Sequence, residues 1–384
     1  MSNDLTNLLA QLVGINSVNP ALVAGAPGEI ELARFVQRWC EAQGLETHWL
    51  EATPGRPSVI AIGRGTQPGK TLLLNAHLDT VGVTGMDDPF NPRIEEGRMY
   101  GRGTVDMKAS LAACMSALAT LQERPRRGDV ILIAVADEEH DSIGTREALD
   151  FLFPNGAPAH CAAILTEPTG LNLHIAHRGF AVFEIETQGV PAHTSQPARG
   201  VNAIAHMQGI LREIDFLSAR LQSQPEHHLL GHGSAMVTRI EGGQELFTLP
   251  AHCRIHYERR TLPGETQAQI ETEVRDILAR AGADTPSFQA TSKLLIVREP
   301  FEINPQADIV ATLWKTMTAR GLSPKFEGAP YWMDSALMAA HGIPTVVFGP
   351  TGDGLHSAGE WVDLESVRKC LAVLVEVGLR WCND

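Results

Sequence analysis

The chain has 384 residues, 43% of them hydrophobic, and a formal net charge of −14. That length exceeds what one core usually fills, so two domains are expected, and the apolar share excludes a disordered chain. The acidic balance speaks against a nucleic-acid partner, whose phosphates need clustered Lys and Arg. Six cysteines (Cys40, Cys114, Cys161, Cys253, Cys370, Cys382) show no Cys-x-x-Cys spacing, as expected of buried thiols in a reducing compartment. The N-terminus carries Asp4 and no apolar run long enough for a signal peptide, and nothing approaches the length of a membrane span. A cytoplasmic protein with no membrane partner is expected.

Residues 4–13 and 29–43 have apolar side chains at helical spacing, and Gly44 closes the second helix. A short strand at 59–62 precedes Thr71-Leu72-Leu73-Leu74-Asn75-Ala76-His77-Leu78-Asp79-Thr80. Its unbroken apolar run reads as a strand buried on both faces, as in a parallel sheet. His77 and Asp79 stand two apart at its carboxyl end, where open α/β sheets place their chemistry. A Gly-, Pro- and Asp-rich loop over 81–99 leads to Tyr100-Gly101-Arg102-Gly103-Thr104-Val105-Asp106-Met107-Lys108 and a helix over 108–121. A loop that long is usually functional. Asp106 taken alone is a helix cap, and Gly101-x-Gly103 lacks the glycine before Lys108 that a phosphate loop needs.

Val130-Ile131-Leu132-Ile133-Ala134-Val135-Ala136 is a second buried strand, ending in Asp137-Glu138-Glu139-His140-Asp141. A third, Ala162-Ala163-Ile164-Leu165, ends in Thr166-Glu167-Pro168-Thr169. Carboxylates crowded at one sheet edge repel each other unless something positive sits among them, and no matching set of Lys or Arg is present. A bound divalent cation, or a pair, is the economical answer. After Arg178 the pattern alternates, and residues 179–294 read as an inserted β-α-β-β-α-β domain. The catalytic domain is then 1–178 with 295–384, which resumes with a helix over 301–320, a buried strand at 345–348, His356 on a glycine-rich loop and a helix over 364–381. His227, His228 and His232 read as loop residues.

His77-Leu78-Asp79-Thr80, Gly101 to Lys108, Glu138-Glu139, Glu167-Pro168-Thr169, Pro191-Ala192-His193-Thr194-Ser195 and His356 occur in an order and at gaps that resemble one family. It is that of the dinuclear zinc amidohydrolases and peptidases (the M20 metallopeptidases), which includes acetylornithine deacetylase, succinyl-diaminopimelate desuccinylase, aminoacylase and carboxypeptidase G-type enzymes. Each match alone is weak; the ordered set is specific. The resemblance implies an α/β fold: a zinc-exopeptidase-like catalytic domain with a mainly parallel central sheet, plus an inserted α+β dimerisation or lid domain. It further implies that His77 and Glu167 bind one metal, Glu139 and His356 the other, and that Asp106 bridges both. One imidazole and two carboxylates per ion leave room for water. Zinc is the metal expected, although such sites also accept cobalt or manganese.

In the same reading Asp79 hydrogen-bonds the far nitrogen of His77. Glu138 is the general base for water activated by the two metals, set apart from Glu139 by strand alternation. The Asp106–Met107 peptide is cis, His193 reaches the partner subunit's site to steady an oxyanion, and Arg259, with Arg260 as rival, grips a substrate carboxylate. The implied activity is hydrolysis of the amide bond of N-acyl amino acids, as in acetylornithine deacetylase, by a homodimer joined through the inserted domain. A dipeptidase or carboxypeptidase with the same site is the alternative. A serine hydrolase using the hydroxyl near Gly231-His232-Gly233-Ser234 lacks the Gly-x-Ser-x-Gly elbow, and a non-catalytic metal-binding module leaves Glu138 without a purpose. Phe247-Thr248-Leu249-Pro250 and Tyr331-Trp332-Met333-Asp334-Ser335 depart from the wording of many relatives; the aromatic pair suggests a more apolar or bulkier pocket.

Overall fold

A computed structural model describes residues 2–384. They form two compact units: 2–175 with Ile303–Glu327 and Met333–Asp384, and Ala176–Glu302 with Gly328–Trp332. The second unit is wider than the 179–294 read from the sequence. Its last strand, Ala290–Arg298, stays paired with Gly179–Gln188 as far as Arg298 opposite Phe180, which keeps the chain in that unit past residue 294.

In the first unit the strands Val130–Val135, Thr71–His77, Cys161–Leu165 and Thr345–Val347 lie side by side and parallel. Antiparallel strands Ser58–Gly63 and Glu46–Leu50 continue one edge, and Leu173–His177 lies antiparallel at the other. The chain is thus mixed α/β with a mainly parallel central sheet. Leu72, Leu73 and Leu74 are all fully buried, as their unbroken apolar run required. The helix Ala109–Gln122 is also apolar on nearly every side and buried along most of its length.

Two stretches depart from the sequence reading. The helix expected over 301–320 begins only at Asp308, because Pro305 disfavours helical geometry before it; Phe301–Glu302 is a short strand instead. The loop over 81–99 holds a hairpin, Arg93–Glu95 with Arg98–Tyr100. Its two-residue turn has φ of 50° at Glu96 and 80° at Gly97, both left-handed, as a type I′ connection requires. Arg98–Tyr100 pairs in turn with Trp361–Asp363, which draws the residues before Trp361 beside Gly101.

The second unit is a four-stranded antiparallel sheet in the order Ser234–Gly242, His252–Thr261, Gly179–Gln188, Ala290–Arg298. Helices Ala203–Gln222, capped by Asn202, and Gln267–Gly282, opened by a Thr266–Gln269 capping box, cover one face. Strand alternation decides one expectation here. Cys253, Ile255 and Tyr257 face the covered core, and Arg259 follows in the same phase. Its guanidinium is fully buried and pairs with Glu265 and with Glu273 at 3.1 Å. Arg259 therefore does not present itself to a substrate, contrary to the sequence reading; the neighbouring Arg260 is partly exposed, stacked over Phe180 and bonded to Glu258. No helix among the described residues is long and apolar enough to cross a membrane, and all six cysteines are buried free thiols.

Replacing Arg259 by Met is expected to destabilise the protein by roughly 1.5–3 kcal/mol through its lost charged hydrogen bonds. Arg260→Met, whose ion pair is partly solvated, is expected to cost at most about 1 kcal/mol. Urea unfolding followed by circular dichroism separates the two.

Candidate active site

Parallel register assembles the site. His77 lies opposite Val135, so the turn after Val135 opens beside it; Asn75 lies opposite Leu165, so Glu167 emerges at the same edge. His77 Nδ1 donates to the Asp79 carbonyl at 2.8 Å. That bond turns Nε2 towards Asp106 Oδ1 at 3.0 Å and Glu167 Oε1 at 3.7 Å. Asp106 sits in the buried turn Thr104–Lys108, with non-helical φ of −123° and a cis peptide to Met107. Its other oxygen lies 3.3 Å from His356 Nε2, which is 3.1 Å from Glu139 Oε2. One cluster thus brings together His77, Asp106, Glu139, Glu167 and His356.

The electrostatics leave the acids short of positive charge. Burial, reinforced by Glu167 and Asp334, pushes the Glu138 carboxyl well above its usual range. Burial likewise raises Glu167 well above the usual range, and Glu139 too, with neighbouring carboxylates adding to both. Burial would also raise Asp106, but its bonds to His356 and His77 prevail and hold it low. The two imidazoles carry the opposing charge: bonds to Asp106 and Glu139 raise His356 to about 10, and His77 stands well above its usual value despite its burial.

A divalent ion fits this donor set. Glu139 Oε1 and Glu167 Oε1 are buried with no hydrogen-bond partner, which a buried carboxylate oxygen seldom tolerates. Among the described residues, His77, Asp106 and Glu139 have ligand atoms within 4.8 Å of one another, and so do His77, Glu138 and Glu167. Proximity alone therefore does not separate Glu138 from the ligands. A third group, His227, His228 and Glu302, is largely exposed, and Leu229 N–H occupies His227 Nδ1.

The geometry corrects two expectations. Glu138 and Glu139 are not strand neighbours but lie in a turn beyond Val135, opened by Asp137 at φ 67°, so strand alternation does not separate them. The Asp79 carboxylate, 3.7 Å from His77 Nδ1, does not form the ring's hydrogen bond. Instead it accepts the amide hydrogens of Glu138 at 3.0 Å and Glu139 at 3.2 Å, and Asn19 Nδ2 at 2.7 Å. Asn19 also donates to Asp137 Oδ1 at 2.9 Å, and Arg56 binds Asp137 at 2.7 Å and Glu29 at 2.6 Å. Asp334, fully buried, is bonded to Thr145 and raised to about 6 by burial. Sequence reading missed Asn19, Arg56 and Asp137 as a set, because they come from separate loops that only the fold collects.

His193 lies in the second unit, on an exposed loop. The Ser195 amide donates to its Nδ1 at 3.2 Å, and the Ser195 hydroxyl lies 2.8 Å from the same nitrogen. Arg259 and Arg260 also belong to that unit.

Residues 73–380 match the family described as peptidase family M20/M25/M40. The chain belongs to that family. Like its members it is a metal-dependent amide hydrolase. It is 28% identical to an acetylornithine deacetylase from Proteus mirabilis over 96% of this chain and 95% of that one. Among solved structures it resembles aminopeptidase PepT from Bacillus cereus, with a TM-score of 0.82 at 21% identity over 99% of both chains. It also resembles a dinuclear metal binding peptidase from Bacillus subtilis, with a TM-score of 0.76 at 18% identity over 99% of this chain and 98% of that one.

For this M20-family chain, Asp79→Asn is expected to weaken metal binding roughly ten- to a hundredfold. The loss should fall on the Glu139 side, whose turn Asp79 holds. Metal titration of Asp79→Asn beside Glu139→Gln checks this: a loss matching that of His77→Ala alone would restore the ring-orienting role.

Proposed function

We propose that this chain hydrolyses the amide bond of N-acyl amino acids, as its relative from Proteus mirabilis is named for doing to acetylornithine. The observation that carries the reading is the cluster of His77, Asp106, Glu139, Glu167 and His356, in which two buried carboxylate oxygens have no hydrogen-bond partner. In this scheme His77 and Glu167 would hold one ion, Glu139 and His356 the other, and Asp106 would serve both. Zinc suits such a mixed set of imidazole and carboxylate. Bound ions supply Lewis acidity and lower the pKa of a water towards about 7.

Glu138 supplies the proton chemistry. It takes a proton from the attacking water, whose oxygen bonds to the amide carbon; the C–N bond breaks, and Glu138 returns the proton to the leaving nitrogen. Asp79 keeps Glu138 in place through its amide. Arg260, the less buried member of the arginine pair, grips the substrate carboxylate. The working unit is a homodimer through the second unit, with His193 lending its Nε2 proton to the developing oxyanion in the partner's site. Buried free thiols support a cytoplasmic location. The second reading, a dipeptidase or carboxypeptidase, is favoured by the peptidases among the structural neighbours.

A panel of N-acetyl amino acids and dipeptides, offered to the zinc-loaded enzyme, tests the substrate class; faster turnover of dipeptides favours the second reading. Glu138→Gln is expected to keep both ions and lose about 10²–10⁴-fold in kcat. Loss of the ions instead would make Glu138 a ligand.

The trans role of His193 has its own check. His193→Ala and Glu138→Ala are unfolded and refolded together. Random pairing makes half the dimers mixed, each with one intact site, so activity returns to about a quarter of wild type. Mixed dimers, confirmed by mass, that stay inactive place His193 in its own chain's site.

A further inference from the structure

Behind Asp106 lies a carboxylate that no step above uses. Glu360 is 1% exposed and accepts four hydrogen bonds. Its Oε2 takes Arg102 Nη1 at 2.6 Å and the Gly103 amide at 2.9 Å. Its Oε1 takes the Val105 amide at 2.9 Å and the Asp106 amide at 3.2 Å. A carboxylate has about four acceptor sites, so this one is filled by the turn that carries Asp106. Gly103 at φ 80° lets its amide join: a side chain there would be strained and would meet Thr80 Cγ2 at 2.8 Å.

Arg102 extends the clamp. Its Nη2 donates to the Ser357 carbonyl at 3.2 Å, next to His356, and its Nε to the Gly82 carbonyl at 3.1 Å. The Gly101 amide donates back to the Glu360 carbonyl at 3.3 Å. Glu360 stands four residues after His356, on the segment that Trp361–Asp363 pins against Arg98–Tyr100. The turn bearing Asp106 and the loop bearing His356 are therefore joined at one buried ion pair.

We propose that Glu360, with Arg102, is the positioning residue that makes Asp106 a shared ligand, by holding its turn and the His356 loop in a single rigid arrangement. This rests on the two-metal reading of the site. Glutamine cannot replace Glu360 there, because its NH2 group would face N–H donors in either orientation.

The experiment titrates the metal-free protein with Co²⁺ alone and follows the visible absorption of the bound ion. Wild type is expected to take two equivalents; if it does not, the two-metal reading fails on its own. Glu360→Gln is expected to bind at least one equivalent ten- to a hundredfold more weakly, with a changed spectrum. A double variant, Arg102→Met with Glu360→Leu, removes the ion pair as a whole and leaves neither partner buried without the other. If Glu360 only neutralises Arg102, that variant regains wild-type Co²⁺ affinity and spectrum. If it positions Asp106, the affinity stays low, since the three amides still lack their acceptor. Should Glu360→Gln not fold, the double variant carries the same measurement. Wild-type affinity and spectrum in the folded variant, whatever its melting temperature, overturn the proposal.

Discussion

Parallel pairing of three buried strands brings His77, Glu138, Glu139 and Glu167 to one edge, where Asp106 and His356 meet them. Like charges at such distances raise one another's pKa, and burial penalises each charge again. The arrangement is costly as a protein-only structure and natural as a cradle for cations. Because the acids cannot relax away from one another, their backbone segments need firm support from behind.

Two arginines, Arg102 buried and Arg56 partly so, give that support in the same manner. Arg56 pairs with Glu29 and Asp137 beneath the turn bearing Glu138 and Glu139, and Asn19 links that pair to the Asp79 carboxylate. Arg102 pairs with Glu360 beneath the turn bearing Asp106. In each case the carboxylate accepts backbone amides of the supported segment, so the side chains facing the site keep their oxygens free of such bonds. A buried ion pair contributes little net stability, since desolvation offsets its attraction. Its value here is geometric: it fixes where the amides point.

The second unit follows ordinary sheet rules. One face packs on two amphipathic helices, and the phase of that face carries Arg259 inward with Tyr257 while turning Arg260 outward with Glu258. The Cys253, Ile255, Tyr257 alternation was already visible in the sequence. Extending it by two residues would have identified Arg259 as buried, because period two in a strand leaves no choice of face.

Local sequence determined the elements whose pattern is self-contained. Unbroken apolar runs made the central strands, period two made the second unit's strands, and strand-terminal acids marked the carboxylate cluster. Tertiary structure decided what depends on distant segments meeting. Pro305 shortened a helix, and the hairpin at Glu96 and Gly97 acquired its purpose only by pairing with Trp361–Asp363. Asp79 gave its backbone carbonyl to His77 and its carboxylate to the following turn, a division that His-x-Asp spacing does not contain. Glu29, Arg56, Asn19 and Glu360 carry no motif of their own. Hydrogen bonding between residues as far apart as Arg102 and Glu360 is specified by where the chain returns, and only the folded chain shows that.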